Sequence, residues 1–182
     1  MGIIVVTGIP GVGKTTVMQK AAEGIDIKFI TFGTVMIDIA KEIGLVKDRD
    51  EMRKLTLEQQ KNLQIKTAER VSKMKNVIVD THCTIKTPKG YMPGLPEWII
   101  KKLKPDNILL IEAPPEEIYN RRLNDKTRNR DPDSIEKINE HQQMNRAVAM
   151  AYSAITGATV KIIKNNDNAI DEAIVEARPV LE

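Results

Sequence analysis

The sequence predicts an α/β fold built on a five-stranded parallel sheet, and three observations carry that expectation. Short apolar runs of strand length alternate along the chain with longer segments of helical period. Repeated strand–helix–strand units close as right-handed crossovers, which makes the strands parallel and covers both faces of the sheet with helices. The first run, Ile3 to Thr7, is apolar and β-branched on both of its faces, as a fully buried strand requires, and it leads straight into Gly8-Ile9-Pro10-Gly11-Val12-Gly13-Lys14-Thr15.

The remaining elements follow in order. A helix runs from Thr16 to about Ala22 and is stopped by Gly24. Ile27 to Thr31 reads as the second strand, and Thr34 is placed to cap a helix that reaches Ile43 before Gly44. Val46 to Glu51 is polar and connecting. Between Thr56 and Met74 the apolar positions Leu57, Leu63, Ile65, Ala68, Val71 and Met74 predict a long helix, opened by a capping box of Thr56 and Gln59. Val77 to Val79 is the third strand and ends in Asp80. Thr81 to Pro96, with two proline–glycine turns, is expected to be loop. A short helix over Glu97 to Leu103 follows, then a strand over Asn107 to Glu112 and a helix over Pro115 to Asn124. Asp125 to Asp133 is charged and carries Pro132. Ser134 opens a helix to about Ile155, with Gly157 as its stop. Val160 to Ile163 is the fifth strand, Asn165 to Asn168 a turn, and Ala169 to about Ala177 the last helix.

Bulk properties bound the function. A chain of 182 residues, 41% hydrophobic and 29% charged, fits one globular domain with a sizeable core. Its apolar runs are far short of a bilayer span. The first residues lead directly into the glycine-rich turn and leave no room for a secretory signal, so a soluble cytoplasmic protein is expected. The single cysteine, Cys83, excludes an internal disulfide and a zinc site of several thiolates. A net charge of +3 and 3% aromatic residues give little to a nucleic-acid platform.

The chemistry starts at the glycine-rich turn. Glycines let the backbone come close to a ligand, and the open donors of the following helix make an anion site. Gly8 to Thr16 are therefore the candidate nucleotide-binding residues, with Lys14 supplying charge to the outer phosphates and the Thr15 hydroxyl ligating magnesium. Asp80, at a strand end, is the second candidate for the metal. No glutamate follows it as a hydrolytic base, which argues against a motor-type ATPase, and no Asn-Lys-x-Asp stands for guanine. Arg121, Arg122, Lys126, Arg128 and Arg130 form the most basic stretch, suited to a positive flap over phosphates. Arg49 and Arg53 could reach a second anion, and Arg146 sits on a largely apolar helix face where an arginine needs an anion or a partner. His82, His141 and Cys83 read as structural residues.

The ordered motifs resemble those of the adenylate kinases of archaeal type across essentially the whole chain. The matching pieces are Thr7 to Thr16, Phe32-Gly33-Thr34-Val35-Met36, Arg49 to Lys54, Val79-Asp80-Thr81-His82, Thr87 to Tyr91 and Pro93 to Pro96. They continue with Arg121-Arg122-Leu123, Thr127 to Asp131, His141-Gln142, Met144-Asn145-Arg146 and Thr156 to Ile162. The resemblance implies a P-loop NTPase-type sheet with a core of residues 1–30, 76–120 and 134–182, a helical insert over 31–75 that binds a nucleoside monophosphate, and a short lid over 121–133. It implies magnesium-dependent transfer between ATP and AMP giving two ADP, in a homotrimer; composition gives no membrane or nucleic-acid partner to expect. Lys14, Arg121, Arg128 and Arg130 would be catalytic. Phe32, Gly33, Thr34, Val35, Arg53, Thr81, Lys86 and Arg146 would serve AMP, and Thr15 and Asp80 the metal. Two features depart from the common bacterial pattern. The helix after the second strand reads Val35-Met36-Ile37-Asp38, without arginine, and Lys86 and Lys89 stand where an arginine follows the Asp80-like position. The alternatives are a small-metabolite kinase with Asp38 as base, or an ATPase switch in RNA or ribosome assembly.

Overall fold

The computed structural model describes residues 2–125 and 133–182. In chain order the elements are β1 (Ile3–Thr7), α1 (Lys14–Ala21), β2 (Lys28–Thr31), α2 (Phe32–Glu42), a 3₁₀ turn (Asp50–Lys54), α3 (Leu57–Val71) and β3 (Val77–Asp80). There follow β4 (Thr84–Thr87), β5 (Gly90–Pro93), α4 (Glu97–Leu103), β6 (Asn107–Glu112), α5 (Pro115–Asn124), α6 (Ile135–Thr156), β7 (Thr159–Lys164) and α7 (Ile170–Leu181). The main sheet is parallel throughout, in the order β2-β3-β1-β6-β7. This agrees with the five-stranded parallel sheet expected from the sequence.

The alternation of β1 explains why the sheet is covered twice. Ile4 and Val6 point to a layer formed by Val17, Met18 and Ala21 of α1 and Ala173, Ala177 and Leu181 of α7. Ile3 and Val5 point the other way, to Ala68 and Val71 of α3, Ile99, Ile100 and Leu103 of α4, and Ala149 and Tyr152 of α6. Successive strand residues face opposite sides, so a strand apolar at every position must be sandwiched. Fully burying each of these aliphatic side chains contributes roughly 1.5–3 kcal/mol before entropy is charged against it.

A separate small cluster of Ile39, Ala40, Val46 and Leu63 joins α2 to α3 and gives the segment after β2 its own footing. The capping box is present: Thr56 Oγ1 accepts from Gln59 N, and the Gln59 side chain accepts from Thr56 N at 2.9 Å. Ser134 caps α6 through Lys137 N, and Gly157, with φ 78°, ends it.

The stretch expected to be loop contains an antiparallel hairpin of β4 and β5, paired from Thr84–Pro93 to Thr87–Gly90. Its stability is tertiary. Tyr152 of α6 donates its hydroxyl to Cys83 O at 2.8 Å and accepts from Leu95 N at 3.0 Å, clasping the two strands at the open end of the hairpin. Thr84 Oγ1 donates to Asn145 Oδ1 and lies 3.0 Å from His141 Nε2. Two helices also begin earlier than expected: α1 at Lys14, and α2 at Phe32 with Thr31 as its N-cap. The last helix extends to Leu181, past Pro179.

Candidate active site

Because all five strands of the main sheet are parallel, their carboxyl ends lie on one edge, where α/β folds gather ligands. The turn from Gly8 to Gly13 rises from that edge between β1 and α1. Gly8 has φ 150°, and a side chain there would meet the Ile111 carbonyl oxygen at 2.4 Å. Gly13 has φ 83° and caps α1 with no side-chain acceptor, which leaves the first N–H groups of the helix open to an anion. Lys14 Nζ reaches back to Gly8 O at 3.2 Å and stands 3.9 Å from Asp80 Oδ1. Burial pushes the Asp80 carboxyl above its ordinary pKa, while Lys14 and then His82 pull it back down.

A cavity of about 750 Å³ joins the two halves of the site. On one wall are Gly13, Lys14, Thr15 and Thr16; on the other are Thr31, Gly33 and Thr34. Asp80, Thr81, Arg49 and Arg121 also border it. A second cavity of about 350 Å³ lies behind Gly8, Ile9 and Pro10 and is bounded by His82, Lys86, Arg122 and His141. Thr15 and Asp80 offer a hydroxyl and a carboxylate to one space, the hard oxygen donors that magnesium takes alongside phosphate and water. Among the described residues, no three carboxylate, histidine or cysteine side chains are grouped to cage a metal by themselves.

The other candidates fall into three groups. Ile9 and Val12 are buried, so they offer the site their backbone and put their side chains into the core. Phe32 is buried against the α3 and α4 layer, and Val35 of α2 is partly buried against that layer and the α2–α3 cluster. Arg53 lies exposed in the 3₁₀ turn away from both cavities, whereas Arg49, four residues earlier, borders the larger one. Lys86 lines the smaller cavity and is paired with Asp133 at 3.0 Å. Arg146 is held by the buried Glu112, with Nε to Oε1 at 2.7 Å and Nη2 to Oε2 at 2.6 Å, and Lys164 shares the same carboxylate. These cations hold the Glu112 carboxyl below its usual range in spite of its burial. Arg146 thus has the partner its apolar helix face demanded, and it borders neither of the two cavities. Arg128 and Arg130 lie outside the described residues.

Arg121 is clamped by Asp167 at 2.6 and 2.8 Å, by Glu117 at 3.0 Å and by Asn165 O at 2.9 Å. Its Nη1 is buried and has no hydrogen-bond partner among the described residues. Two residues stand differently from their reading in the sequence, where His82 was structural and Arg122 part of a basic flap. His82 borders both cavities, and burial together with Lys14 lowers its pKa. Its position two residues after a strand-ending aspartate was the available signal. Arg122 donates Nε to Pro10 O at 2.9 Å and pairs with Asp133 at 3.1 Å, tying the glycine-rich turn to α5. Cys83 is buried, and its thiol is pushed up to about 12 by that burial, in keeping with a structural residue.

Residues 7–139 match a family model described as an AAA domain. Among solved structures, the shikimate kinase of Bacteroides thetaiotaomicron superposes with a TM-score of 0.63 at 13% identity, covering 99% of this chain and 98% of that one. A shikimate kinase from Acinetobacter baumannii gives 0.62 at 18% identity over 100% and 93%. Those likenesses establish the fold alone. The curated relatives go further. The adenylate kinase of Methanothermobacter thermautotrophicus is 51% identical over 100% of both chains. That of Methanocaldococcus jannaschii is 53% identical over 99% of this chain and 98% of its own, and that of Methanopyrus kandleri 53% over 96% and 94%. Identity of that degree along the whole chain makes this chain a phosphotransferase belonging to the adenylate kinases of archaeal type.

Proposed function

We propose that the chain transfers a phosphoryl group reversibly between ATP and AMP, giving two ADP, with Mg²⁺. The observation that supports this most is the single cavity bordered by Lys14, Thr15 and Thr16 on one side and by Thr31, Gly33 and Thr34 on the other, which offers two nucleotides facing places. ATP would lie with its phosphates on the glycine-rich turn and AMP against the start of α2. The AMP phosphate is already anionic near neutral pH, so the reaction asks for alignment and charge neutralisation rather than a base. Lys14, the N-terminal donors of α1 and the fixed guanidinium of Arg121 meet that need. Arg128 and Arg130 are assigned the same role from the sequence. Magnesium would be held by Thr15 and Asp80, where it would neutralise charge on the transferred group.

A coupled assay with ATP, Mg²⁺ and a panel of nucleoside monophosphates tests the reading. AMP should be the preferred acceptor; turnover confined to a different acceptor overturns it. Family resemblance supports a homotrimer, to be checked by light scattering, where a monomeric mass would refute it. A cytoplasmic location fits the absence, among the described residues, of any helix long and apolar enough to cross a membrane, and fractionation of the native source tests it.

A further inference from the structure

We infer that Asn165 is a positioning residue for the phosphate-binding turn. It rests on the reading above, in which that turn holds ATP. Asn165 follows β7 and is only 7% exposed. Its Nδ2 donates to Val12 O at 2.8 Å, in a buried contact between residues 153 positions apart. The backbone on either side is fixed as well: Asn165 N donates to Glu112 O at 2.8 Å, and Asn165 O accepts from Arg121 Nη2 at 2.9 Å. The amide occupies the space that a side chain on Gly13 would need, since a Cβ there would lie 2.4 Å from Nδ2. The glycine with φ 83° and the asparagine therefore form one fitted contact.

The consequence follows from peptide geometry. In a planar trans peptide the carbonyl and the next N–H point to opposite sides. Anchoring Val12 O on Asn165 sends the Gly13 N–H away from Asn165 and fixes the peptide plane immediately before α1 begins. Gly13 and Lys14 border the large cavity, so a fixed plane here sets where the helix presents its first donors. The same residue receives Arg121, so the side-chain amide and the backbone carbonyl of Asn165 register the turn against the guanidinium at the end of α5. Without the amide, the Val12–Gly13 peptide is free to rotate, and an anion must order it on binding.

The test separates positioning from folding. Asn165→Asp keeps the shape but sets a carboxylate oxygen against the Val12 carbonyl, and Asn165→Ala removes the donor. The protein is titrated calorimetrically with ATP and Mg²⁺ in the absence of AMP, and separately with AMP. Melting temperatures are recorded alongside, and Asn165→Asp serves if Asn165→Ala folds poorly. Both variants should bind ATP about ten- to a hundred-fold more weakly, the loss expected when donors to a charged ligand are no longer preorganised. AMP affinity should change less than about twofold on the same scale. A loss shared equally by ATP and AMP, or a fall in activity that tracks only the folded fraction, overturns the inference. Unchanged ATP affinity in both variants overturns it while leaving the proposed function intact. A wild-type chain that binds no ATP would overturn both.

Discussion

Replacing Lys14 by methionine removes one charge and keeps most of the side chain's length. At rest Lys14 Nζ is 3.9 Å from Asp80 Oδ1, with its side chain 13% exposed and that of Asp80 16% exposed. Two unit charges about 4 Å apart interact by about 4 kcal/mol at an effective dielectric constant near 20. A transferring phosphoryl group carries more charge than a carboxylate, and an open cleft admits water. The lost stabilisation should therefore be about 3–4 kcal/mol, or two to three orders of magnitude in kcat at about 1.4 kcal/mol per tenfold. The loss should be in kcat and not only in KM, because the charge matters most while the group is in flight. The assay is a coupled measurement at saturating ATP, Mg²⁺ and AMP, with urea unfolding to show that the fold is kept. A Lys14→Met enzyme within about threefold of wild-type kcat would refute the reasoning, since the Lys14 charge would then play no part in transfer.

Three further outcomes are expected. Gly8→Ala should destabilise the fold by at least about 2 kcal/mol, because its Cβ would meet the backbone oxygen of Ile111 at 2.4 Å and φ is 150°; wild-type stability in urea would contradict this. Tyr152→Phe leaves Cys83 O and Leu95 N without their shared hydroxyl and should cost about 2–3 kcal/mol; kcat for the folded enzyme should stay within about twofold, and a large loss of kcat at full stability would point to a catalytic part for the hairpin. His141 is buried and has its pKa held below 6.5, chiefly by that burial and further by Lys86 and Arg122, against Asp133 and a hydrogen bond to Thr84. A depressed folded pKa means that the unfolded chain takes up its proton first as pH falls. The contribution of His141 is therefore complete above its unfolded pKa of 6.5 and is lost below it. Urea stability measured at about pH 7.5 and about pH 5.5 should fall toward acid, and His141→Gln should flatten the slope; an equal slope in the variant would remove His141 from the account.

Much of this protein is local in origin, and local features are legible in a sequence. The capping box at Thr56 and Gln59 needs only four consecutive residues. The glycine-rich turn needs a strand before it and a helix after it, and both are written in the flanking residues. Apolarity on both faces of β1 and β6 demands layers on both sides, whatever supplies them. The strand, turn and helix that carry the proposed phosphate site were therefore readable from Ile3 to Ala21.

The features that only the tertiary structure decided depend on partners far along the chain. The β4–β5 hairpin has weak alternation, with Pro88 at its turn and Pro93 in β5, so its strands do not announce themselves; its open end is held by the hydroxyl of Tyr152 and, through Thr84, by Asn145 and His141. Arg146 read as a cation in want of an anion, and the partner it found is Glu112, 34 residues away across the β6–α6 contact. Arg121 is fixed by Asp167 and Asn165 O because parallel strands bring the loop after β7 beside the end of α5. The sequence by itself determined the glycine-rich turn and the helix that follows it, since backbone torsions and helix donors are properties of neighbouring residues. Tertiary structure decided which distant side chains hold that turn in shape, because a buried hydrogen bond such as Asn165 to Val12 exists only once the sheet has closed around it.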